Sequence, residues 1–114
     1  MKLITKEIES KLIKNTELPE EERKPYLKLF NPTGAATWLI SEIEYGSIEE
    51  GNAIFFGLAD LGMGRPELGS VPMQELSSFK GFLDLGIERD LYWEPTKSLT
   101  EYWRESRANG AIVE

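Results

Sequence analysis

The stretch Thr37-Trp-Leu-Ile-Ser-Glu-Ile-Glu-Tyr45 and, after the turn residues Gly46 to Asn52, the run Ala53-Ile-Phe-Phe-Gly-Leu-Ala59 decide the fold of this chain. Successive side chains of a strand point to opposite faces. Thr37 to Tyr45 therefore reads as the longest strand, with Trp38, Ile40, Glu42 and Glu44 on one face and Leu39, Ile43 and Tyr45 on the other. Its first half is apolar on both sides, and its second half emerges into water through the two glutamates. Ala53 to Ala59 is apolar without a break, the pattern of a central strand covered on both faces. Together they predict a hairpin at the centre of an antiparallel sheet.

On the N-terminal side, Tyr26 to Phe30 alternates around Lys28 as a further strand, and Asn31-Pro-Thr-Gly34 is a turn. On the C-terminal side, Gly57, Gly62, Gly64 and Gly69 punctuate the chain, with Arg65-Pro66 between them. A glycine-rich loop is able to cradle phosphate on backbone N–H groups, but this spacing matches neither nucleotide fingerprint. A hairpin turn is the leading reading and an anion site the alternative. Glu67 to Val71 returns as a short strand. Pro72 then opens a short helix, Met73 to Phe79, with Ser70 the nearest capping residue.

The two ends read as helices. Thr5 is an N-cap, Ile4, Ile8 and Leu12 recur at helical spacing, and Asn15 suits a left-handed cap. Leu18 to Pro25, charged and bracketed by prolines, is a linker or one solvated turn. After Gly81 and Phe82-Leu-Asp84, Ile87 to Leu91 is extended, with Arg89 on the side of Ile87 and Leu91 and with Glu88 and Asp90 opposite. Ser98 to Ala108 is the last helix: Ser98 and Glu101 form a capping box, Leu99, Tyr102 and Trp103 form the apolar stripe, and Gly110 ends it before a loose tail. The expected architecture is one α+β domain, residues 1–114, in two layers. An antiparallel sheet of about four strands is packed by the N-terminal and C-terminal helices.

Composition narrows the chemistry. The 114 residues contain no histidine and no cysteine. That excludes a Ser-His-Asp relay, a thiol nucleophile, an iron–sulfur cluster and histidine or thiolate metal sites. No cofactor and no metal is expected. Twenty acidic residues against 13 basic ones give a net charge of −7, which argues against direct nucleic-acid binding. The opening Met1-Lys-Leu-Ile-Thr-Lys-Glu7 returns charge too early for a signal peptide, and no apolar run approaches a membrane span. A cytoplasmic protein is the expectation.

Charge is also unevenly placed. No basic residue lies between Lys28 and Arg65, while Glu42, Glu44, Glu49, Glu50 and Asp60 all do. This is either a solvated acidic hairpin or a docking edge for a partner with a basic surface. Arg89 either locks the fold in an ion pair with Glu67 or Glu42, or is presented to an anionic ligand. Glu42, Glu67, Glu88 and Asp90 are the carboxylates available for catalysis, but no Asp-x-Asp or calcium-loop spacing occurs. Trp38, Tyr92 and Trp93 complete the candidate binding residues, with Trp93 and Trp103 as interface anchors.

Four blocks carry a resemblance: Phe30-Asn-Pro-Thr-Gly-Ala-Ala-Thr-Trp38 leading to Glu42; Phe55-Phe-Gly57; Glu67-Leu-Gly69 with Glu75-Leu76; and Ile87-Glu-Arg-Asp-Leu-Tyr92 before Pro95. With the Leu3-Ile-Thr-Lys-Glu7 opening, their order resembles the family named domain of unknown function 2958, over roughly residues 3 to 95. The resemblance implies a small accessory protein of a bacterial mobile element, a plasmid, integrative element or phage, and supplies no catalytic residue. It leaves the helix at Ser98 to Ala108 outside the best-matching part. The expected function is non-enzymatic: regulation by protein binding, including inhibition of a host defence or nucleic-acid enzyme. The alternative is a small-ligand or nucleotide-binding domain, hydrolytic or not, built on Arg89 and carboxylates. Oligomeric state is not legible.

Overall fold

Thr5 opens the first helix as predicted, its hydroxyl accepting the Ile8 N–H at 3.2 Å. The computed structural model describes residues 4–79 and 85–113; Met1-Lys-Leu3 of the opening and the stretch from Lys80 through Phe82-Leu-Asp84 lie outside the described residues. Helix α1, Lys6–Asn15, carries Glu7 and Glu9 in its first turn and Lys14 in its last, matching the helix dipole. Leu12 is fully buried and Ile4 nearly so, against Leu27, Leu29, Ile40 and Phe55.

Five antiparallel strands follow: β1 Leu27–Phe30, β2 Thr37–Tyr45, β3 Ile54–Asp60, β4 Glu67–Pro72 and β5 Glu88–Arg89. Their order is β4-β3-β2-β1-β5. The additional strand is β5, a two-residue edge in which Arg89 lies opposite Leu29. Helix α2, Met73–Ser78, places Leu76 in the same cluster as α1, whereas helix α3, Leu99–Asn109, packs Leu99 and Tyr102 onto Leu39 and Leu58. The helices thus occupy opposite faces, and the domain has three layers instead of the expected two. β3 shows why: Phe55 enters one cluster and Leu58 the other, so both faces of the central strand need a cover. Gly57 lets β2 come close, since a Cβ there would run into the Leu39 carbonyl oxygen.

Strict alternation along β2 does not survive. Ile40 lies opposite Gly57 but Glu42 opposite Phe56, and a second shift falls between Ile43 and Tyr45. The extra residue at Ser41 is a bulge that turns the following side chains over. Ile43 consequently packs with Ile40 in the α1 cluster, and Glu42 moves to the α3 face beside Phe56.

The ends of the helices hold three further departures. Asn15 is no left-handed cap: the chain leaves α1 through Thr16 in the right-handed region, and Asn15, 2% exposed, turns inward. Its Nδ2 donates to the carbonyl oxygens of Lys24 and Ser41, both at 2.8 Å. Ser70 does not cap α2 but donates its hydroxyl to the Glu44 carboxylate. The tail is not loose, because Asp60, 8% exposed, accepts the N–H groups of Gly62 at 2.9 Å and Ile112 at 3.0 Å. The Ser98–Glu101 capping box and the left-handed Gly110 end α3 as predicted. Before it, the Glu105 carboxylate, hydrogen bonded to Lys97 Nζ, holds that ammonium above its usual pKa.

The charged stretch before β1 is more than a linker. After a 3₁₀ turn, Glu20–Glu22, Arg23 donates Nε to the Leu18 carbonyl at 2.8 Å and Nη1 to both Glu42 oxygens at 3.0 Å. Its own carbonyl accepts the Leu99 N–H at 2.8 Å. One residue therefore ties this strap to β2 and to the start of α3.

Asn15→Ala is expected to destabilise the protein by about 2 kcal/mol, because it strips the buried Ser41 carbonyl and the part-buried Lys24 carbonyl of their shared donor. Urea denaturation measures it; a loss below about 0.5 kcal/mol would show that other donors reach Lys24 and Ser41.

Candidate functional site

Arg89 meets neither partner expected of it. Glu67 sits on β4, at the opposite edge of the sheet from β5. Glu42, turned over by the bulge, faces α3 and is held by Arg23. Arg89, opposite Leu29 and beside Ile87, faces α1 instead. It borders a groove of about 420 Å³ whose walls include Glu7, Lys11, Tyr26 and Glu94. Its Nε is buried there without a hydrogen-bond partner. No carboxylate among the described residues reaches ion-pair distance of it. The expected orientation of the segment does hold: Asp90 points the other way and pairs with Lys28 at 3.4 Å.

The aromatic candidates separate into core and surface. Trp38 is half-buried against the α1 cluster. Trp93 is half-buried, and the buried part anchors the fold. Its indole N–H donates to the Pro25 carbonyl at 2.7 Å, its ring lies 5.6 Å from that of Tyr102, and Lys28 Nζ stands 5.3 Å from its centroid. Tyr92, by contrast, is 93% exposed. A cleft uniting Glu42, Arg89 and Tyr92 does not form, because Glu42 and Arg89 belong to opposite faces of the sheet.

The carboxylates do not converge either. Glu42 and Asp90 are taken by Arg23 and Lys28, while Glu67 and Glu88 lie on opposite edge strands. Among the described residues no group of three acidic side chains is placed to hold a metal ion.

The open end of the β2–β3 hairpin gathers the rest. Glu44, Glu49 and Glu50 are exposed and form no ion pair among the described residues. The loop is rigid in its hydrogen bonding: Asn52 Oδ1 accepts the Ser47 N–H at 2.9 Å, and Ser47 Oγ accepts the Glu50 N–H at 3.1 Å. Ile48 tucks back against the α1 cluster and leaves Glu49 and Glu50 outside. Tyr45, 72% exposed, ends β2 just before this loop. Sequence reading passed over Tyr45 as a binding residue, although its place at the wet end of the long strand was the available signal. Asp60 leaves the acidic set, since it is buried and spent on backbone N–H groups. Glu42 leaves it too, as the partner of Arg23. What remains is a hairpin end with three exposed carboxylates, Glu44 bonded to Ser70 on the α3 side and Glu49 bordering the groove beside Lys6 on the α1 side, one exposed aromatic ring, and no described cation in an ion pair with them.

Residues 3–113 match the model of a family described as protein of unknown function (DUF2958), and the chain belongs to that family. The match extends through α3, so the C-terminal helix is part of the family's domain and not an appendage to it. No curated protein and no solved structure matches the chain. No described helix is long and apolar enough to cross a membrane.

Two arginine substitutions separate structure from availability. Arg23→Met is expected to cost about 3 kcal/mol, because it leaves the Glu42 carboxylate unpaired where its side chain is only 15% exposed. Arg89→Met, which removes a guanidinium without an ion pair among the described residues while keeping an apolar stem, is expected to change stability by less than about 1 kcal/mol. Denaturant midpoints of the two variants check this. A larger loss for Arg89→Met than for Arg23→Met would reverse the assignment.

Proposed function

We propose that the protein is a non-enzymatic accessory factor of a mobile genetic element, cytoplasmic, and that it acts by binding a protein partner with a basic surface through the hairpin end. The observation that carries this reading is the exposure, at one hairpin end, of Tyr45 and of Glu44, Glu49 and Glu50, three carboxylates without an ion pair among the described residues. Aromatic rings are favoured contact residues at interfaces, and unpaired surface charge steers the encounter with a partner of opposite sign. Inhibition of a host defence or nucleic-acid enzyme fits such a partner, since these enzymes carry basic faces for their substrates. The mobile-element setting draws on what the family resemblance implies.

The second reading, a small-ligand or nucleotide-binding domain, is favoured by one observation, the buried Nε of Arg89 with no acceptor beside it. The same groove holds Glu7 and Glu94, which repel an anion, and the reading ranks second for that reason.

Affinity capture from the host followed by association kinetics tests the leading reading. Replacing Glu44, Glu49 and Glu50 together by glutamine is expected to slow association roughly tenfold at low salt, with little change in folding, and raising the salt should have a parallel effect on the unaltered protein. Tyr45→Ala is expected to speed dissociation. A captured partner whose on-rate ignores both salt and the threefold substitution would reduce the hairpin end to solvated surface.

A further inference from the structure

At the end of β3 away from the acidic hairpin, the β3–β4 loop and α3 enclose a groove of about 510 Å³. Gly64, Arg65 and Pro66 form one wall, and Trp103 and Arg107, one turn apart on α3, form the other. Trp103 packs on the second core cluster, so its ring is fixed. The Arg107 guanidinium lies 5.0 Å from that ring's centroid. Stacking of this kind holds a guanidinium in place while leaving its N–H groups at the edge free to bond. Arg65 is exposed across the groove, and among the described residues Glu67 is the one acidic member of the lining.

What sets this place apart is two cations without an ion pair at one groove. Lys11 pairs with Glu7, Arg23 with Glu42, Lys28 with Asp90 and Lys97 with Glu105, while Lys6, Lys14, Lys24, Arg89 and Arg104, like Arg65 and Arg107, have no ion pair among the described residues. Arg65 and Arg107 border one groove and pair with no carboxylate among the described residues, Glu67 included. Two guanidiniums flanking a common space, one of them held against an indole, suit an oxyanion, because each offers paired donors that match carboxylate or phosphate oxygens. Gly64 stands at the mouth of the groove in open space, since even a Cβ at that position would meet no atom within 4 Å.

We propose that this groove is a binding site for an oxyanion, a phosphate or carboxylate group, held between Arg65 and Arg107 against Trp103. It is separate from the hairpin surface and shares no residue with it. The phosphate source is a small phosphorylated ligand, and the carboxylate source is an acidic peptide segment.

The chain has three tryptophans, so its indole N–H signals in a nitrogen–proton correlation spectrum are few enough to follow individually, with Trp103→Phe assigning the one that matters. Pyrophosphate and a short glutamate-rich peptide are titrated separately at constant ionic strength, with sodium chloride as control. The Trp103 signal is expected to shift and saturate with at least one of the two, and the arm that saturates at lower concentration names the source. The Trp93 signal, whose N–H is held by the Pro25 carbonyl, is expected to stay in place. Arg65→Ala with Arg107→Ala, both exposed positions, is expected to weaken binding at least roughly tenfold with an unchanged thermal midpoint, and Glu67→Gln to tighten it roughly threefold. Glutamine at Glu44, Glu49 and Glu50 is expected to leave the titration as it is, which separates this site from the hairpin reading. No saturable shift with either anion, a shift that chloride reproduces, or binding that survives the double substitution would overturn the proposal.

Discussion

Between Ile40 and Glu42 the long strand β2 has one residue more than the strand it pairs with, and that residue, Ser41, is buried. A bulge costs the sheet a regular pairing, and the groups it displaces must be satisfied elsewhere. Here the Ser41 carbonyl is taken by Asn15, which holds Lys24 with the other proton of the same amide. Glu42, turned over by the bulge, is taken by Arg23, whose backbone in turn receives α3 at Leu99. Helix α1, the strap before β1 and helix α3 are thus all referred to one irregularity in one strand. The Asn15–Ser41 bond is buried, and an unmet donor or acceptor there loses water without replacement.

The local signals in the sequence were sound where chain chemistry acts over a few residues. The caps at Thr5 and Ser98, the extent of Thr37 to Tyr45, the apolar run of β3 and the Gly110 stop all follow from patterns whose physics is short-range. What stayed hidden depends on strand order and on the bulge. A period of two assigns Glu42 and Ile43 to the wrong faces once Ser41 is inserted, and nothing in Ile-Ser-Glu marks the insertion. Arg89 could not be denied Glu67 until β4 and β5 proved to be opposite edges. Asn15 looked like a cap because asparagine tolerates the left-handed conformation, and its longer-range use required knowing that β2 passes beneath it. In the candidate site, Glu44, Glu49 and Glu50 were legible from the missing bases around them. Tyr45 and the Arg65–Arg107 convergence were not, the second because its two halves are far apart in the chain.

The resulting surface is polarised along β3. Unpaired carboxylates and Tyr45 mark the β2–β3 end, whereas Arg65 and Arg107 flank the groove beside the β3–β4 end. A net charge of −7 conceals this, because it averages over two places of opposite sign. At physiological ionic strength charges are screened beyond roughly 8 Å, so each end presents its own field to whatever approaches it.

The two-residue β5 has a consequence for how copies of this chain meet. Sheets are prone to grow at their edges, where a long row of unpaired N–H and C=O groups invites another strand. At one margin β5 offers only Glu88 and Arg89 before the chain turns away at Asp90. At the other, β4 begins with exposed Glu67 and ends at Pro72, which has no N–H to donate. Each margin thus carries one feature that limits pairing with another chain, the shortness of β5 and the proline that closes β4.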